Sequence, residues 1–147
     1  MTEVLLIAPP PVLFERPPVG DRTLSILPLG LLYIAEHLRA RGRQALILRL
    51  GTMAARLLER TGEAAGEAAW RRLLAQILDA ERPRMVGVEC HWSYTSEGAF
   101  EVARLIKEID PRLPVITGGI HVSGLGRSVL EEHAFFDAVV IGEGERP

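Results

Sequence analysis

Two short, β-branched apolar runs that each stop at glycine constrain this chain most. Pro114-Val115-Ile116-Thr117 runs into Gly118-Gly119-Ile120-His121, and Ala138-Val139-Val140-Ile141 runs into Gly142-Glu143-Gly144-Glu145. A run of this kind, bounded by turn formers, reads as a strand buried on both faces, which a parallel sheet requires. Glycine at the carboxyl end of such a strand lets the backbone turn with φ above zero. It also leaves no side chain between backbone and ligand. In open α/β sheets ligands bind at that carboxyl edge. A tight turn alone satisfies either loop, but both loops on one edge of one sheet predict a glycine-lined shelf.

The rest of the chain supplies the sheet. Val4 to Ala8 is a first buried strand, stopped by Pro9-Pro10-Pro11, which cannot donate to a ladder. The long connection from Pro9 to Leu27, with Pro17, Pro18 and Gly20, leaves the carboxyl end of that strand and is expected to be functional. Pro28 suits the first position of a helix, Leu31, Ala35 and Leu38 mark its apolar stripe, and Gly42 is its natural stop. Ala45 to Leu48 is a second strand, ended by Gly51. Ala54, Leu57 and Leu58 suggest a short helix before the breaks at Gly62 and Gly66. Trp70, Leu73, Leu74, Ile77 and Leu78 define an amphipathic helix that puts Trp70 in the core. Met85 to Cys90 is a third strand, followed by the polar and aromatic loop His91-Trp92-Ser93-Tyr94-Thr95. Ser96 is placed to cap the next helix, and Gly98 leaves that helix start open to close approach. A further short helix is expected from about Gly126 to His133.

Strand and helix alternate throughout, which means an α/β fold: a parallel sheet in three layers with right-handed crossovers. Five strands favour the flavodoxin-like, doubly wound order 2-1-3-4-5, whose switch point lies between strands one and three. That order sets the Pro9–Leu27 loop across a crevice from the His91–Ser96 loop. The sequence stops at Pro147, where the final helix of this pattern would begin. The expectation is one domain over 1–147, normally continued into something larger. The fifth strand would then have one face uncovered, leaving Val139 or Ile141 near an exposed apolar patch and favouring self-association.

Composition removes several classes of function. A formal net charge of −2 gives no basic face for nucleic acid. A single cysteine, Cys90, rules out an internal disulfide and suits a reducing cytoplasm. The N-terminus has no signal-peptide pattern, and no apolar run approaches the roughly 20 residues of a membrane helix. No P-loop is present, and the G-x-G pieces at Gly124 and Gly142 follow late strands rather than the first. Ser123 is not in a nucleophile elbow, because residue 121 is His. His37 and His133 read as helix-surface residues. His91 and His121 each follow a strand at the ligand edge, though nothing in the sequence pairs either with a second titratable group.

Taken together, Pro28-Leu29-Gly30-Leu31-Leu32-Tyr33-Ile34-Ala35, Arg41-Gly42, Val86-Gly87-Val88, Thr117-Gly118-Gly119-Ile120-His121 and Val139-Val140-Ile141-Gly142-Glu143-Gly144-Glu145 resemble the N-terminal cobalamin-binding domain of B12-dependent radical S-adenosylmethionine enzymes. The resemblance runs along essentially the whole chain. It implies a flavodoxin-like fold with the corrin across the carboxyl ends of the strands and the nucleotide tail in a cleft beside the sheet. By position, Gly118, Gly119, His121, Gly142, Glu143, Gly144 and Glu145 would line the tail. Pro9, Pro10, Leu29, Gly30, His91, Trp92, Ser93 and Thr95 would approach the corrin.

The chain departs from the family pattern in two places. The D-x-H-x-x-G motif, whose histidine ligates cobalt in other cobalamin domains, is absent, and Pro9-Pro10-Pro11 stands in its place. The implied cofactor is therefore base-off cobalamin with no protein histidine on the metal. The C-x-x-x-C-x-x-C iron–sulfur signature is also absent. Iron–sulfur cluster, S-adenosylmethionine and catalytic residues would then belong to a radical domain of the parent chain, its expected partner. Two other functions fit the fold: a degenerate docking or substrate-gating module without corrinoid, or a flavodoxin-like domain for a flavin or nucleotide.

Overall fold

The structure is a computed structural model that describes residues 2–11, 27–62 and 66–145. Most of the proline-rich connection, with Pro17, Pro18 and Gly20, lies outside the described residues. Five strands form one sheet: β1 (Val4–Ala8), β2 (Ala45–Arg49), β3 (Met85–Glu89), β4 (Val115–Gly118) and β5 (Ala138–Val140). All pairings are parallel and the order is β2-β1-β3-β4-β5, the expected flavodoxin-like arrangement. Among the described residues six α-helices connect them: α1 (Leu29–Ala40), α2 (Leu50–Thr61), α3 (Glu67–Glu81), α4 (Ser96–Ile109), α5 (Ile120–Leu125) and α6 (Ser128–Glu132). None is long and apolar enough to cross a membrane.

Alternation along the strands sorts side chains to two faces of the sheet. Leu5, Ile7, Val86, Val88 and Val115 point to the larger core, which α3 and α4 cover with Trp70, Leu74, Leu78, Val102, Leu105 and Ile106. Trp70 is fully buried there, as its spacing required. Val4, Leu6 and Ala45 point to the other face, where Leu31 and Ala35 of α1 close a smaller core. α1 packs on β1 and β2. Over the β3–β5 half of that face, no helix packs among the described residues, and this asymmetry positions the site.

Four local expectations are corrected. Gly51 does not end the second strand: β2 passes directly into α2 at Leu50, whose side chain is fully buried, and Gly51 lies within the helix. The segment after β4 forms two short helices rather than one, broken at Gly126, where φ is 61°. Ser96 is the first residue of α4 and not its cap; its hydroxyl donates to the Ser93 carbonyl at 2.7 Å. His133 is no plain surface residue, since its ring packs 4.3 Å from the Phe100 ring and 5.2 Å from that of Phe135. On the fifth strand, Val139 is half-buried against the larger core and Ile141, just beyond it, is 61% exposed.

Candidate functional site

Two cavities open at the carboxyl edge of the sheet. A cleft of about 380 Å³ runs along the α1 face between α1 and the β3–β5 half of the sheet. A second cavity, about 340 Å³, lies over the ends of β1, β2 and β3. Both volumes fall in the usual range for small-molecule sites, roughly 300–1,000 Å³. Gly30, Glu89 and His91 line both cavities, so the two meet at those residues.

The cleft exists because of where glycines fall in the register. Leu6, Gly87 and Ile116 stand side by side on β1, β3 and β4, and all three face α1. One step toward the edge, Glu89, Gly118 and Val140 stand side by side. With no side chain at Gly87 or Gly118, the sheet surface sinks along the central strands, and apolar walls from Leu6, Ile116, Leu31 and Ile34 enclose the trough. The roof is thinned in the same way, since a Cβ on Gly30 of α1 would meet nothing within 4 Å except Glu89 Oε1, at 3.9 Å.

The two glycine loops close the far end of the cleft. Gly119 has φ 121°, and a Cβ there would stand 2.6 Å from the Cys90 carbonyl oxygen, so the turn after β4 needs glycine on both counts. The chain then enters α5 directly, with no open loop between. The Gly142 amide, at φ 82°, donates to Ser123 Oγ at 3.0 Å and ties the β5 loop to α5. Gly144 brings that loop against α1, where a Cβ would stand 2.8 Å from Ile34 Cδ1.

The loop after β3 forms one wall of the second cavity. Ser93–Thr95 make a single 3-10 turn, pinned by the Thr95 hydroxyl donating to the Trp92 carbonyl at 2.9 Å. Trp92 and Tyr94, both about half exposed, have parallel rings with centroids 6.3 Å apart. Across from them the Pro9–Pro11 wall rests on α4. The Gly98 amide donates to the Pro11 carbonyl at 3.0 Å, and a Cβ on Gly98 would fall 1.8 Å from the Pro10 oxygen. The close approach expected at Gly98 is thus realised.

Among the residues singled out from sequence, Pro9, Pro10, Leu29, Gly30, His91, Trp92 and Thr95 line the cavity at the strand ends. Gly118, Gly119, Gly142, Glu143, Gly144 and Glu145 line the cleft. Ser93 and His121 line neither cavity. They hydrogen-bond each other instead, Ser93 Oγ to His121 Nδ1 at 3.1 Å, latching the β3 loop to α5.

Sequence reasoning missed Gly87, Ser123 and Glu89. A glycine inside a β-branched strand is a signal for close approach, and an acid ending an apolar strand is a signal for a site. Glu89 is half-buried, and burial raises its carboxyl above the ordinary carboxylate range. Its neighbour Cys90 is fully buried and pushed up to about 11, by burial first and by the Glu89 charge second, so it is an inert thiol.

A parallel five-stranded sheet with this cleft and this edge is the architecture of a cofactor-binding α/β domain. The model of the B12 binding domain family matches residues 16–147, and the chain belongs to that family. Two curated relatives match part of it. One is a cobalamin-dependent radical SAM methyltransferase, TokK, of Streptomyces tokunonensis, 33% identical over 64 residues. The other is 2-(S-pantetheinyl)-carbapenam-3-carboxylate methyltransferase of Streptantibioticus cattleyicolor, 34% identical over 64 residues. The aligned stretch covers 43% of this chain and 9% of each relative, so the chain spans only a small part of their length.

Proposed function

We propose that this chain holds cobalamin with the corrin over the cavity at the strand ends and the nucleotide tail in the cleft under α1. The observation that carries the reading is the glycine-floored trough at Gly87 and Gly118. It gives a flat heterocycle an apolar slot opening directly onto a cavity at the strand ends. Walls of Leu6, Leu31, Ile34 and Ile116 suit an aromatic base and offer no charge in the depth of the slot.

When bound, the cobalt would supply methyl-carrying chemistry, and the protein would supply orientation and exclusion of water. Pro9–Pro11, braced on Gly98, and the Trp92–Tyr94 wall would hold the ring between them. Gly119, Gly142 and Gly144 would let backbone amides approach the tail. The only histidine lining either cavity, among the described residues, is His91, and Pro9–Pro11 occupy the position after β1 from which other cobalamin domains deliver a ligand. We therefore assign base-off cobalamin with no protein nitrogen on the metal. The names of the relatives support a module of a larger radical SAM methyltransferase, with the iron–sulfur cluster held elsewhere in that protein.

The purified chain should co-elute with cobalamin after incubation with excess hydroxocobalamin. A folded but colourless eluate would favour a docking module without corrinoid. Electron paramagnetic resonance of the bound Co(II) form tests the axial position. The expected spectrum has no three-line nitrogen splitting, and a splitting that disappears in His91→Ala would make His91 a ligand.

A further inference from the structure

The mouth where the two cavities join holds a carboxyl group with no role in the binding mode proposed for ring and tail. Glu89 ends the central strand β3, faces α1, and lines both cavities. Its side chain is half-buried, and one carboxyl oxygen lies 3.9 Å from where a Cβ on Gly30 would stand. Among the described residues it has no hydrogen-bond or ion-pair partner; burial alone perturbs it. A ligand spanning both cavities must pass its connecting segment through this mouth. In cobalamin that segment carries an amide and a phosphodiester, the one negative group of the molecule.

Resting on the cobalamin reading, we infer that Glu89 is a specificity residue for the linker, donating a hydrogen bond from its neutral carboxylic acid to the phosphodiester between ring and tail. An ionised carboxylate at the same place would set two negative charges against each other in a half-buried mouth and could donate no hydrogen bond to the phosphate. Binding above the ionisation point of free Glu89 then takes up one proton from solvent.

Other charged and titratable groups stand around the mouth. These are Arg49 at the end of β2, His91 and Tyr94 after β3, buried Cys90, and Glu143 and Glu145 after β5; α1 and β4 contribute none to either cavity. His91 matters most, because an imidazolium would attract the same phosphodiester.

The test is cobalamin affinity by equilibrium dialysis from about pH 5 to about pH 9 for wild type, Glu89→Gln, Glu89→Ala and His91→Asn, each checked for folding by circular dichroism. Wild-type affinity should fall as pH rises, by up to about tenfold per unit above the ionisation point. Glu89→Gln should keep the acid-side affinity and lose the slope. Glu89→Ala should be equally flat but several-fold weaker, for want of the donor. Cobinamide, which lacks the phosphodiester, should show no Glu89-dependent slope. A flat wild-type profile, equal affinities for the Gln and Ala variants, or a slope that survives Glu89→Gln and vanishes in His91→Asn would each overturn the assignment. No retention of cobalamin by wild type at any pH is a different failure, that of the cobalamin reading itself.

Discussion

Gly119 is the residue where one added carbon costs most. Its φ of 121° excludes other residues, and a Cβ would press on the backbone of Cys90, which has no flexible end to move. Gly119→Val should lower unfolding stability by about 1–3 kcal/mol or more, read from urea denaturation, and abolish cobalamin retention. Gly98→Ala acts at a distance from the ligand. It should displace the Pro9–Pro11 wall and weaken binding while α4 stays helical by circular dichroism. Asp137 provides a pH prediction away from the site. Partial burial pushes its carboxyl up, but hydrogen bonds from Lys107, at 2.8 Å, and from the Val115 amide, at 2.6 Å, hold it below the ordinary value of 3.8. A carboxyl lowered in the folded state stabilises above its unfolded pKa, and that share is lost as pH falls through the folded pKa. Because the side chain is 46% exposed, the share is below about 1 kcal/mol. The stability gap between wild type and Asp137→Asn should therefore shrink between pH 7 and acid, measured from denaturant midpoints.

At the scale of elements, the trough is the testable feature. A Cβ on Gly87 would meet only the tip of Leu6, at 2.9 Å, and the end of Ile116, at 3.9 Å. Those ends can shift, so Gly87→Ala should fold. It should nevertheless weaken cobalamin binding by about tenfold or more by filling the slot, while cobinamide, which has no tail base, binds unchanged. The strands themselves were legible in the sequence, because each is an apolar run halted by proline, glycine or a polar loop. Their order followed from strict alternation with helices. The short helices after β4 were less legible: five or six residues carry too little periodicity to separate two turns of helix from one. The start of α2 was hidden because Gly51 imitates a stop. The place of Gly87 and Glu89 in the cavities came from register, which sets Gly87 between Leu6 and Ile116, and register is a relation between strands that no single stretch displays. His121 lies outside both cavity linings for a related reason: a helix begins immediately after Gly119, and its ring meets Ser93.

At the scale of the molecule, one face of the sheet is covered by α3 and α4 with α5 and α6 over β4 and β5, and the other, among the described residues, by α1 over β1 and β2. Exposed Leu29, Trp92 and Tyr94 line the cavity at the strand ends. A corrin lying across that edge would cover part of this surface. The measurement that bears most directly on the account is equilibrium dialysis of the wild-type chain against cobalamin and cobinamide in parallel. The account predicts that cobalamin is retained and binds tighter than cobinamide by about a hundredfold, since only the complete cofactor fills the cleft under α1. Equal affinities would mean that the cleft does not receive the tail, and no retention of either by folded protein would contradict cobalamin binding outright.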